Sequence, residues 1–135
     1  MANHNVAMQF GQERHTGIVA DCFDYLKGKK REYDVVVLDP PAFARSPKAL
    51  DKAARGYKEI NRNGIAATVS GGLLFTFSCS GVVSRDLFRK IVFGAAAETG
   101  RDVQILHQLS QPFDHPVNIY HPEGEYPKGL VLRVL

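Results

Sequence analysis

Two side chains in this sequence stand where chemistry could be done, Asp39 and Cys79, and each follows an apolar run. Tyr33-Asp34-Val35-Val36-Val37-Leu38 leads into Asp39. Its unbroken valines and leucine suit a strand buried on both faces, as in a parallel sheet. Pro40-Pro41 cannot continue a sheet ladder, so the strand stops at a carboxylate. In open α/β sheets ligands bind at that carboxyl end; the plainer reading is a polar strand stop. The second run, Leu73-Leu74-Phe75-Thr76-Phe77, ends in Ser78-Cys79-Ser80-Gly81. A thiolate there could attack an electron-poor carbon, whereas the plainer reading is a small buried cysteine. A hydrolase elbow would want glycine two places before the nucleophile, and that place holds Phe77. A third acid, Asp21, closes His15-Thr16-Gly17-Ile18-Val19-Ala20 and serves either as a ligand or as a helix N-cap. His115 and His121 are not at metal-ligand spacing with the cysteines, which argues against zinc.

The elements that must position these groups alternate along the chain. His15–Asp21 reads as a short strand. A helical pattern opens at Cys22 and runs into the basic Lys27-Gly28-Lys29-Lys30-Arg31. Ser46-Pro47 is a good helix start. Leu50, Ala53, Ala54, Tyr57 and Ile60 then give one apolar face. This helix is expected to run through Gly64, at a cost of about 1 kcal/mol against alanine, and to reach Val69 before Gly71-Gly72 ends it. Leu73–Phe77 is the next strand. Ser84 caps a helix with Leu87, Phe88, Ile91, Val92 and Ala95 inward, closed by Gly100. Val103, Ile105 and Leu106 mark another strand, residues 108–127 an irregular connection, and Leu130–Val134 the last strand. Strands alternating with helices predict a parallel sheet covered by helices. The two final strands, with no helix between them, predict an antiparallel end.

At 135 residues, 44% hydrophobic and 23% charged, the chain reads as one soluble globular domain. No apolar run approaches a membrane span and no secretory signal is seen. Two cysteines do not make a disulfide framework, so a reducing, cytoplasmic setting is expected. A formal charge of +3 permits an RNA partner without requiring one.

Asp39-Pro40-Pro41-Ala42-Phe43 resembles motif IV of the class I S-adenosylmethionine (SAM)-dependent methyltransferases. With Ala44-Arg45-Ser46 after it, it is similar to the RlmI-like family of RNA cytosine-C5 methyltransferases. Ser78-Cys79-Ser80 resembles motif VI of the same enzymes. The resemblance covers nearly the whole chain but only the later part of that fold. It implies an α/β, partial Rossmann-like class I methyltransferase fold in a single domain over residues 1–135. The sheet would be mostly parallel with an antiparallel last strand, lacking the first two strands. Met1–Gly11 would be the tail of a helix. It also implies SAM as cofactor and cytosine C5 in ribosomal RNA as the methyl acceptor. Cys79 would be the nucleophile at C6 and Asp39 the acid that holds the base. Pro40, Pro41, Phe43 and Arg45 would meet the substrate, and Asp21, Cys22 and Phe23 the adenine of SAM. Plain core packing for Phe43 and a solvated charge for Arg45 are the alternatives.

The family's glycine-rich SAM loop, its ribose-binding acid and its leading PUA domain have no match here. SAM binding and catalysis by this chain alone are therefore expected to be weak or absent. The competing readings are a non-catalytic remnant or RNA-interaction module, and the guanine-N7 branch of the family. Without the first two strands, the strand at 34–39 has a naked edge. Two remedies are expected: strand 18–21 moves over to pair with it, or two chains dimerise through it.

Overall fold

A computed structural model describes residues 4–6, 8 and 14–135. Residues 4–6 and 8 are helical, and the rest of the expected Met1–Gly11 helix tail lies outside the described residues. The elements that follow are α1 (Cys22–Leu26), β1 (Tyr33–Leu38), α2 (Leu50–Ala67), β2 (Thr68–Ser78), α3 (Arg85–Thr99), β3 (Val103–Leu109) and β4 (Lys128–Val134). One 3₁₀ turn, Pro47–Ala49, precedes α2 and another, Pro122–Gly124, lies in the connection before β4. The four strands form one sheet in the order β1-β2-β4-β3. β1 and β2 are parallel, and β4 runs antiparallel to both β2 and β3. This is the partial Rossmann-like arrangement that the alternation of elements predicts, with its reversed last strand.

The core lies between the sheet and the pair α2–α3. Side chains alternate along a strand, and Val36, Leu38, Leu74 and Leu132 are buried while Val35 and Val37 stand exposed, so β1 is covered on one face and not on both as its unbroken apolar run led one to expect. α2 contributes Tyr57, Ile60 and Ile65, and α3 contributes Phe88, Ile91 and Val92. Ser84 caps α3 by accepting from the Leu87 N–H at 3.1 Å. Gly64 is buried mid-helix, and a Cβ there would sit 2.8 Å from Leu38 Cδ1. Its helix-propensity cost is the condition for α2 to lie this close to β1. α2 ends where the Arg101 guanidinium takes the carbonyls of Ile65 and Thr68.

Further expectations are corrected. Among the described residues no strand forms over His15–Asp21, although the edge of β1 is available to it, and Val19 is fully exposed, so the segment does not bury the apolar side chains that would hold it in a ladder. The remedy in which strand 18–21 pairs with β1 is thereby not realised, and β1 is an edge strand. α1 stops at Leu26, short of the basic run, because Gly28 turns the chain at φ 83°. α2 starts at Leu50 and ends at Ala67. β2 begins at Thr68, not Leu73, and Gly71 takes φ 81° where the register with β1 shifts. Gly71-Gly72 is therefore an irregularity inside a strand, which is the other common use of strand glycine.

Candidate active site

Register sets the geometry. Leu38 pairs with Thr76 on the parallel strand β2. Asp39 and Cys79 therefore leave the same end of the sheet on adjacent strands, one residue past β1 and one past β2. The loops that carry them are tied together. The Ser80 hydroxyl, 1% exposed, donates to the Ala44 carbonyl at 2.6 Å. The Ser80 N–H donates to the Ser78 hydroxyl at 3.4 Å. Asp39 is exposed, Cys79 half-buried, and Arg45 fully on the surface.

Phe43 lies in a line of aromatic rings. Its centroid is 4.6 Å from Tyr57 and 5.9 Å from Phe23, and Tyr57 meets Phe88 edge-on at 5.7 Å. This packing fixes the Pro-Pro-Ala-Phe loop on the core, yet Phe43 also borders an open cleft of about 700 Å³. Asp21, Cys22 and Phe23 line one side of that cleft, and Val37, Asp39, Pro40 and Pro41 the other. The structure thus gathers both expected groups of residues around one opening, except Arg45 and Cys79, which do not line it.

Asp21 is the N-cap of α1. One carboxylate oxygen accepts from the Phe23 N–H at 2.8 Å and the Asp24 N–H at 3.2 Å. That fixes the entry to α1, and the same residue lines the cleft. α1 is held to the sheet by Tyr25, whose hydroxyl lies 3.1 Å from that of Tyr33 on β1. Lys29 lies 4.9 Å from the Tyr25 ring centre and 2.9 Å from Glu32, whose carboxylate holds its ammonium well above the usual lysine range.

Sequence reasoning missed Lys128. It opens β4 opposite Ser78, is 7% exposed, and donates to the carbonyls of Ser80 and Val83 at 2.6 Å each. A lysine between Pro127 and Gly129 carries no local sign of burial. Tyr126 stands beside the same turn, where a Cβ on Gly81 would lie 3.9 Å from its own. Among the described residues no cluster of His, Cys, Asp and Glu could hold a metal, and no helix is long and apolar enough to cross a membrane.

No family model matches the chain. It is 46% identical over 99% of its length to ribosomal RNA large subunit methyltransferase I of Alteromonas mediterranea, of which it covers 35%. It is 53% identical over 79% of its length to the Aeromonas salmonicida protein of the same name, of which it covers 26%. Among solved structures, SMU.776 complexed with SAH matches 97% of the chain with a TM-score of 0.78 at 24% identity, over 34% of its own length. TTHA0409 of Thermus thermophilus, complexed with S-adenosyl-L-methionine, matches 86% with a TM-score of 0.54 at 14% identity, over 53% of its own length. The structural likenesses show the fold alone. The chain spans about a third of the length of the first relative it matches. By sequence it is a homologue of ribosomal RNA large subunit methyltransferase I, corresponding to the C-terminal part of that protein.

Proposed function

We propose that this chain is a partial methyltransferase domain whose complete protein methylates C5 of cytosine in ribosomal RNA, in the cytoplasm, with Cys79 as nucleophile and Asp39 holding the base. The observation that carries this reading is the adjacency of the two motif loops, joined by the Ser80–Ala44 hydrogen bond. Cytosine C5 is a poor nucleophile. Attack of the Cys79 thiolate on C6 forms a C–S bond and moves the C5–C6 π electrons onto C5, which can then take a methyl group. Loss of the C5 proton and departure of the thiolate restore the ring. Asp39 suits cytosine because a carboxylate accepts from the exocyclic amine and pairs with a protonated ring nitrogen. Pro40, Pro41 and Phe43 would border the base, and Arg45 is free to reach RNA phosphate.

SAM, when bound, supplies the methyl group. The cleft between Phe23 and Pro40 suits its adenine: its lining is largely apolar, and Asp21, which also lines it, would accept from the exocyclic amine. Residues for the ribose and methionine ends have no match in this chain. Titration calorimetry should therefore detect no SAM binding to the chain alone, and micromolar binding would overturn that part. The partial cleft also supports the second reading, a non-catalytic module, for the isolated chain. The open edge of β1 at residues 34–39 supports a homodimer, which sedimentation velocity would detect.

The test of the nucleophile uses the complete enzyme and RNA containing 5-fluorocytosine. The fluorine cannot leave as a proton does, so a Cys79–C6 adduct should accumulate. Intact methylation without an adduct would remove the claim.

A further inference from the structure

We propose that a basic cleft at the far end of the sheet is a second RNA contact, one that grips backbone phosphates without reading sequence. The proposal rests on the RNA substrate proposed above, but not on Cys79 or Asp39.

The cleft, of about 420 Å³, opens where α1, α2 and α3 finish. Its residues Arg31 and Ala66 lie just before β1 and β2 begin, at Tyr33 and Thr68. It is therefore at the amino end of the parallel pair, opposite to Asp39 and Cys79. Lys29, Lys30, Arg31, Arg62 and Arg101 line it, against one acid, Glu98. Two of these cations are spent: Lys29 pairs with Glu32 at 2.9 Å and Arg62 with Glu98 at 3.4 Å. Among the described residues no carboxylate side chain lies within ion-pair distance of Lys30, Arg31 or Arg101.

The plainer reading is that these cations only offset the carbonyl ends of the helices. Arg101 does so, taking the oxygens of Ile65, Thr68 and Leu135 through Nη1 and Nε. Yet a helix end carries only about half a negative charge, and the short α1 contributes least, so the three remaining cations leave an excess of roughly two. Arg31 is not placed there for its backbone: it takes φ 51°, a left-handed conformation that glycine or asparagine adopts at lower cost. The enclosed Nη2 of Arg101 has no hydrogen-bond partner among the described residues, so this guanidinium keeps one donor unmet. The form of the ligand follows from what the backbone withholds. The N–H groups of Arg31, Glu32 and Gly100 already donate to Ala66, Ala67 and Ala97. They leave no amide cradle for one small phosphate. Long cationic side chains from three segments suit a run of phosphates instead, and guanidinium forks match phosphate oxygens.

Fluorescence anisotropy with labelled oligouridine tests this on the chain itself, because oligouridine offers no cytosine to the Asp39–Cys79 site. Lys30→Gln/Arg31→Asn removes two exposed cations of the cleft, and asparagine suits the backbone at 31. Arg89→Gln/Lys90→Gln removes the same charge from exposed positions on α3 outside the cleft. On a single strand each phosphate neutralised adds about 0.7 to the steepness of log K against log salt. The first variant should therefore flatten that slope by about 1.4 and weaken binding about 25-fold at about 0.1 M salt, while the second stays within about threefold of wild type. In the wild type, oligouridine should shield Lys30 but not Lys90 from acetylation, read by peptide mass spectrometry; this needs no variant to fold. Equal losses in the two variants, an unshielded Lys30, or no binding at all overturns the proposal. So does stabilisation by pyrophosphate without RNA binding, which would assign the cleft to a small phosphate compound. Failure of the 5-fluorocytosine adduct with oligouridine binding intact would remove only the nucleophile reading.

Discussion

Replacing Ser80 with alanine cuts the side-chain bond that joins the two motif loops. The hydroxyl is buried and donates at 2.6 Å to a buried partner, the carbonyl of Ala44. Water cannot replace the donor without entering the core. The loss is therefore a net hydrogen bond of about 1 kcal/mol plus part of the desolvation of an orphaned carbonyl, together about 2 kcal/mol. With a urea slope of about 2 kcal/mol/M for a chain of this size, the unfolding midpoint should fall by about 1 M. Ser84→Ala is the control. It removes an exposed N-cap bond to Leu87 and should cost about 1 kcal/mol without touching either loop. The two variants should also differ at the thiol: Ser80→Ala frees the Cys79 loop and raises alkylation of Cys79, while Ser84→Ala leaves it unchanged. A Ser80→Ala midpoint within about 0.2 M of wild type, corresponding to under about 0.5 kcal/mol, would refute the claim that this bond couples the loops.

Other outcomes follow from the same packing. Gly64→Ala should gain about 1 kcal/mol of helix propensity yet destabilise overall by about 1–3 kcal/mol, because the new methyl meets Leu38; a stabilised variant in urea unfolding would count against the close approach. Asp21→Ala should cost about 1 kcal/mol through the lost cap on α1, and Asp21→Asn should recover most of it in the same measurement. Lys58 at 2.6 Å, with Arg62 behind it, holds the Glu98 carboxyl below its usual range. A depressed carboxyl contributes stability that is present above its unfolded pKa near 4.5 and is lost as pH falls through the folded value. The stability difference between wild type and Glu98→Gln should therefore shrink below pH 4.5, and a difference constant across that range would argue against the pairing.

The alternation of strands and helices, the antiparallel end and the position of Asp39 and Cys79 just past strand ends were legible because they rest on strong local signals. A four-residue apolar run stopped by Pro40-Pro41 has few other structures to adopt, and Ser84 and Gly100 bracket α3 closely. The failures have long-range causes. His15–Asp21 has strand composition, but a strand needs a neighbour, and nothing within the segment says whether one is present. Gly71-Gly72 looks like a helix stop, while Thr68 already pairs with Tyr33; only the sheet register reveals it. Gly64 looks like a local weakness until Leu38 is seen against it. At the site, the Ser80–Ala44 and Lys128–Ser80 bonds join residues 36 and 48 positions apart, a separation no motif encodes.

The contact between Gly64 and Leu38 bears on more than stability. Leu38 is the residue immediately before Asp39, so the spacing of α2 from β1 also sets the height from which that acid projects. A side chain added deep in the protein would be felt as a tilt at the mouth. Interior substitutions along α2 should accordingly alter the placing of Asp39 before they alter whether the chain folds, and screens that score only solubility would miss them.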